Sequence, residues 1–158
     1  MKTLYKILFS AIILVAISES VKAQDIEGID LWDKVTKEQI IAKFGQPKNY
    51  KSELMDDMKT YHELFYYDGL FLETEGSILT AFGSSNPSYN VLTKYIKKGI
   101  RVGDTIEKLS ELKPVNKWTQ TLDNGVIQYR FVYENEDDIS VNVRNGRIVS
   151  ISAMADTL

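Results

Sequence analysis

Two stretches of this chain, about 69 residues apart, follow one plan, and a repeated plan narrows the fold to architectures assembled from two like units. The first runs from Val35 to Pro47. Thr36 followed three residues later by Gln39 is a capping-box signature, in which each side chain satisfies a backbone N–H at the start of a helix. Ile40, Ile41 and Phe44 then recur at helical spacing, and Gly45 with Pro47 supplies the stop. The second stretch runs from Gly103 to Pro114. There Asp104 and Glu107 offer the capping box, and Ile106, Leu109 and Leu112 the apolar face. Helices of about two to three turns do not hold themselves in water, so both must be stabilised by packing.

The segments that follow also match. Tyr61 to Asp68 and Tyr129 to Glu134 are β-prone and aromatic at alternate positions. Each leads into a hairpin: Leu70–Thr74 and Ser77–Phe82 around Glu75-Gly76, and Ile139–Arg144 and Arg147–Ser152 around Asn145-Gly146. Asn-Gly between two β-prone runs is a strong hairpin signal. One more strand is expected ahead of each pair, near Asn49–Glu53 and Asn116–Thr121. Ser88 to Gly99 has the cap, the apolar spacing and the terminal lysines of an additional helix, with residues 25–32 as its counterpart. The expected fold is therefore α+β: two tandem repeats, residues 24–86 and 87–158, each with one or two short helices packed on a four-stranded antiparallel sheet. One mismatch stands out. With the hairpins aligned on these turns, Phe71 and Glu73 fall opposite Val141 and Val143, so either a bulge shifts the register or one sheet is buried on another face.

Lys2 and Lys6 precede an apolar run from Ile7 to Ser18, and small residues Val21 and Ala23 stand before Gln24. This is the pattern of a secretory signal peptide, residues 1–23, cleaved after Ala23. The twelve residues of this mostly apolar run reach only about 18 Å as a helix, short of a ~30 Å hydrocarbon core. Its removal takes three lysines and Glu19 from the 19 basic and 22 acidic side chains, leaving 16 and 21, a net of −5. An exported chain of that charge is not expected to bind nucleic acid, nor to keep a membrane span after cleavage. There is no cysteine, hence no disulfide, thiolate metal site or cysteine lipid anchor. An exported protein without disulfides fits the bacterial periplasm or exterior, and its core alone must hold it.

Gly99 to Leu109 ahead of a proline, followed by aromatic strands closed by a glycine-centred hairpin, resembles the SmpA/OmlA-type module. The same layout occurs in tandem in β-lactamase inhibitor protein-like (BLIP-like) domains, and the resemblance spans nearly all of residues 28–153. It implies small exported α+β modules in which helices cover one sheet face while the other face or its loops bind a partner protein. Outer-membrane assembly components and secreted enzyme inhibitors share this plan. The chain departs from it in lacking both the lipobox cysteine of the former and the cysteine pairs of the latter.

Catalytic chemistry has little to stand on. His62 is the only imidazole, set in a strand beside Glu63, and no Gly-x-Ser-x-Gly elbow or phosphate-binding loop accompanies it. Glu73 and Glu75, at i and i+2, share one face of a strand and could flank a sugar or a metal, but read more simply as solvated charges. Glu134, Glu136, Asp137 and Asp138 crowd a turn without the spacing of a calcium loop and read as solvated charges. Lys94, Lys97, Lys98 and Arg101 gather at the end of the expected additional helix, complementing its dipole. No catalytic residue, metal or cofactor is expected.

The aromatics carry the functional signal. Tyr61, Phe65 and Tyr67 alternate on one strand face, with His62, Leu64 and Tyr66 on the other. A sheet covered on one side needs only one apolar face, so large groups on both either fill the core and the contact between the two copies or form an open surface for a partner. The expected contact residues are Tyr66, Tyr67, Trp118, Tyr129 and Tyr133, and the expected work is binding another protein as an inhibitor-like or immunity-like module. A periplasmic carrier of a small ligand or lipid and an outer-membrane assembly factor are the alternatives.

Overall fold

Residues 24–56, 59–93, 96–112, 114, 116–133 and 137–155 are described by the computed structural model, and within them the chain is α+β with far more strand than helix. The expected signal segment, residues 1–23, lies outside them. In chain order the elements are β1 (Gln24–Ile26), β2 (Ile29–Asp30), α1 (Lys37–Phe44), β3 (Asn49–Met55), β4 (Thr60–Tyr66), β5 (Leu70–Glu75) and β6 (Ile78–Ser84). After them come β7 (Val91–Thr93), β8 (Ile96–Ile100), β9 (Asn116–Thr121), β10 (Ile127–Val132), β11 (Asp138–Arg144) and β12 (Arg147–Met154), with 3-10 turns at Ile106–Glu111 and Asp123–Gly125. Two antiparallel sheets result. The small one runs β2-β1-β7-β8, and the large one runs β3-β4-β5-β6-β12-β11-β10-β9. Among the described residues no helix is long and apolar enough to cross a membrane.

α1 forms as its sequence dictates. The Thr36 hydroxyl accepts from Gln39 N–H while the Gln39 side chain accepts from Thr36 N–H, and Gly45 N–H closes the last turn on Ile41. Its single fully buried residue, Ile40, ties it to the core, and Phe44 packs its ring against Tyr67 and Tyr89. The second helical stretch differs. It is a 3-10 turn whose N-cap is Thr105, one residue after the expected Asp104, and it has no side-chain capping hydrogen bond. The Asp104 carboxylate accepts from Arg101 N–H and from the Lys108 ammonium at 2.7 Å. Burial alone would raise the Asp104 pKa, but those two hydrogen bonds and the Lys108 and Arg101 charges together hold it below the ordinary value.

The expected helix from Ser88 to Gly99 is absent. The stretch holds β7 and β8, and the expected counterpart at residues 25–32 is the β1–β2 hairpin. Short apolar runs satisfy helical and strand spacing alike, and here β-branched residues and cross-strand pairing prevail. Gly99, read from sequence as a helix stop, has φ +66 inside β8. A Cβ there would lie 2.6 Å from Val91 O, so only glycine allows the strands to approach. The dipole role expected for the nearby lysines goes with the helix, and the side chains of Lys94, Lys97 and Lys98 lie outside the described residues.

The register mismatch resolves at the turns. The first hairpin closes on Gly76-Ser77, not Glu75-Gly76, with φ of +57 and +66. The second closes on Asn145-Gly146 with φ of +51 and +73. Both loops have positive φ at their two central residues, as a tightly twisted hairpin requires. Moving the first turn by one residue sets Leu70, Leu72 and Thr74 opposite Ile139, Val141 and Val143, all buried. Each returning strand carries a bulge two pairs beyond its loop, at Thr80 in β6 and Val149 in β12. The register does not differ between the hairpins.

Instead of two separate four-stranded sheets there is one continuous sheet, joined where β6 pairs β12. Phe82 faces Ala153 and Ser84 faces Ile151 across this seam. The inner face of the large sheet supplies Phe65, Leu72, Phe82, Phe131, Ile139, Val141 and Ile151 to one hydrophobic cluster. Ile40 from α1, Leu109 and Leu112 from the 3-10 region, and Ile26, Val91 and Ile100 from the small sheet complete it. Loop backbones stitch the layers: Trp32 N–H donates to Leu79 O, Val35 N–H to Ser77 O and Ile106 N–H to Gly146 O.

Candidate functional site

With one face of the large sheet committed to the core, period-two alternation sends every second residue to the other face. Cross-strand pairing fixes which of these are neighbours. Asn49, Tyr66, Phe71, Gly83, Ser152, Ser140, Arg130 and Trp118 face one another in turn across β3, β4, β5, β6, β12, β11, β10 and β9. One row thus crosses the whole sheet. Its middle is small and polar; Tyr66 and Phe71 stand toward the β3 edge, which Asn49 closes, and Trp118 stands at the β9 edge.

The middle is built by a glycine. A Cβ on Gly83 would meet Phe71 Cε1 at 2.2 Å, so the Phe71 ring lies over the bare backbone of β6. An aromatic laid over a strand glycine covers the gap left by the missing side chain. Beside it Tyr66, Phe71, Gly83, Ser150 and Ser152 line a cavity of ≈ 380 Å³. At the other end Trp118, Gln120, Gln128 and Arg130 border a hollow of ≈ 350 Å³. Trp118 is 52% exposed, and the Arg130 guanidinium lies 5.9 Å from the centre of its ring. The same guanidinium is anchored by Asp138, with Nη2 at 2.6 Å and Nε at 3.0 Å from one carboxylate oxygen. Pairing on a sheet holds such groups in place before any partner arrives, which lowers the ordering cost of binding.

The rest of the face mixes apolar Leu64, Val132 and Met154 with cross-linked polar side chains. Asn142 donates to Ser150 Oγ at 2.9 Å, and Gln120 donates to Gln128. Nearer the β4–β5 end, His62 Nε2 lies 2.8 Å from Glu73 Oε1. Glu75 is the direct cross-strand partner of His62.

The five expected contact residues divide between the faces. Tyr66 and Trp118 share the outer row. Tyr67 lies on the covered side against Phe44, its buried hydroxyl without a hydrogen-bond partner among the described residues, and burial, with Tyr89 nearby, raises its pKa. Tyr129 packs against the core beneath the Lys117 ammonium at 5.3 Å. Tyr133, expected as a contact group, is only 3% exposed and is a core residue. Its odd-numbered alternation with Phe131 aims it inward.

Phe71, Gly83, Arg130, Ser140 and Ser152 were not found from sequence. The signal for Phe71 was present, since it falls between inward Leu70 and Leu72, but the misplaced turn matched it with buried Val141. Asp137 and Asp138 are buried rather than solvated: Asp137 accepts from Trp32 Nε1, and Asp138 holds Arg130. Glu134 and Glu136 lie outside the described residues. No family model, curated protein or solved structure matches the chain.

Proposed function

We propose that this chain is an exported, non-enzymatic protein-binding module of the bacterial envelope, inhibitor-like or immunity-like, which holds its partner on the outer face of the large sheet. The observation that carries this reading is the cross-sheet row: exposed or half-buried rings on either side of a small polar floor, and an arginine fixed by Asp138. Tyrosine, tryptophan and arginine are the residue types that dominate binding energy where one protein presses on another. A protruding loop of a folded partner fits such a floor better than a flat surface does. We further infer two tandem repeats, each a hairpin, a short helical segment and a four-stranded meander. Their matched bulges and loops, and the reciprocal 82–153 and 84–151 pairing at the seam, support this.

Affinity capture from envelope extract, compared between wild type and the Tyr66→Ala and Trp118→Ala variants, tests the reading. One protein should be captured by wild type and lost by at least about tenfold from each variant, the effect of removing an interfacial anchor. Retention by both variants would overturn it. A fatty-acid or other small-molecule probe saturating the cavity beside Phe71 would support the carrier alternative instead.

A further inference from the structure

His62, Glu73 and Glu75 bring three potential ligand atoms within 4.8 Å of one another on the outer face of β4 and β5. From this arrangement we propose a binding site for a divalent transition-metal ion of the zinc class. The proposal does not depend on the partner-binding reading. The chemistry of the set is mixed: one imidazole nitrogen and two carboxylates. Imidazole suits zinc and its neighbours, whereas calcium and magnesium prefer oxygen ligands alone. Three protein ligands with one open position is the pattern of zinc sites that keep a water.

The backbone places the ligands. His62 and Glu75 are directly opposed in an antiparallel pair, and Glu73 is two residues from Glu75 on the same strand. Two of the three come from one strand and the third from its hydrogen-bonded neighbour, so the site needs no loop to order. At Glu73 the pairing with β6 shifts register. Such a bulge increases local twist and re-aims side chains, here around the carboxylate that meets His62.

The charge is also set for a cation. Among the described residues Glu75 has no ion-pair partner, and Glu73 is paired only with His62. Glu53 on β3 is the other cross-strand neighbour of His62 and adds negative charge at the edge. All three ligand residues are half-buried, so a bound ion would be partly shielded yet accessible. The His62–Glu73 separation of 2.8 Å is a hydrogen bond. Tetrahedral zinc, with bonds of about 2.0–2.2 Å, holds its ligand atoms about 3.4 Å apart. Small rotations of the three side chains bridge the difference. In the free protein the hydrogen bond keeps the ligands together, and metal would displace its proton.

Zn²⁺ titration of tag-free protein by calorimetry, alongside histidine-ring NMR, tests the proposal. The chain has one histidine, so its ring signals belong to His62 alone. The expected result is saturable one-to-one binding in the micromolar range that shifts those signals. His62→Ala and Glu75→Gln should each weaken it by at least about tenfold, the scale on which metal sites respond to lost ligand-shell groups. Millimolar Ca²⁺ should not compete. Both substitutions lie on the outer face, and an unchanged circular dichroism spectrum confirms that each variant folds. Absence of saturable binding, binding that leaves the His62 signals unmoved, or equal affinity in both variants would overturn the site. Partner capture that persists in a chelator would leave the binding face standing by itself.

Discussion

At the scale of the residue, Gly83 decides more than any aromatic on the face. Every other strand position in the outer row carries a side chain, and at Gly83 the Phe71 ring fills the vacancy. Gly83→Val would drive a methyl-bearing carbon into that ring, and the ring would have to leave the sheet or push β6 away. The expected cost is about 1–3 kcal/mol, the usual penalty of overpacking. It should appear as a lower urea midpoint, together with weaker partner capture. An unchanged midpoint would mean that Phe71 is not seated on β6. Trp32 shows the opposite use of backbone conformation. It holds φ +73, where a side chain is costly, and is kept there by Leu79 O on its N–H and by Asp137 on its indole.

At the scale of the element, the two long hairpins demand the same loop geometry but meet it with different residues. Asn145-Gly146 is the preferred pair for two positive φ angles, whereas Gly76-Ser77 places serine at φ +66. Ser77→Gly should therefore stabilise the protein by about 0.5 kcal/mol, the relief of a left-handed side chain less the entropy of a freer chain. Gly146→Ala, with φ +73, should cost about 1 kcal/mol. Urea denaturation of both variants measures the pair of signs, and equal signs would contradict the assigned loops. The serine also explains why the first turn was misplaced from sequence, since Glu75-Gly76 looks as good a turn as Gly76-Ser77 when only composition is weighed.

At the scale of the molecule, the β6–β12 seam makes one sheet of two meanders, and the small sheet joins a hairpin from each half through β1 and β7. Residues of both halves share one hydrophobic cluster, so neither half can lose its packing without exposing the other. Of the two tryptophans of the sequence, Trp118 on β9 reports on the second half, whereas Trp32, ahead of α1, reports on the contact between halves through its indole bond to Asp137. Trp32→Phe and Trp118→Phe leave one fluorophore each. Fluorescence of the two variants, each compared with its own far-ultraviolet circular dichroism, should give coincident unfolding transitions. Separate midpoints for the two signals within one variant would mean that the halves unfold as independent units.

Local chemistry was legible in the sequence wherever a signal acts within a few residues. Thr36 and Gln39 cap α1, Asn145-Gly146 turns a hairpin, and the alternation of Phe65 and Tyr66 assigns them to opposite faces. Those outcomes depend on backbone groups one to four positions away. Ser88 to Gly99 was misread because its apolar spacing serves helix and strand equally, and only the pairing of β7 with β1 and β8 chose between them. Asp137 and Asp138 were misread because their partners, Trp32 and Arg130, lie far along the chain or across a strand. The row from Asn49 to Trp118 and the meeting of His62 with two glutamates likewise exist only once register is set. Local pattern was enough for the Thr36–Gln39 cap, the Asn145-Gly146 turn and the in–out alternation of the strands, but not for the first hairpin turn or the second cap. The tertiary structure alone decided which residues meet, because cross-strand neighbours are chosen by global strand order and by bulges that no local pattern encodes.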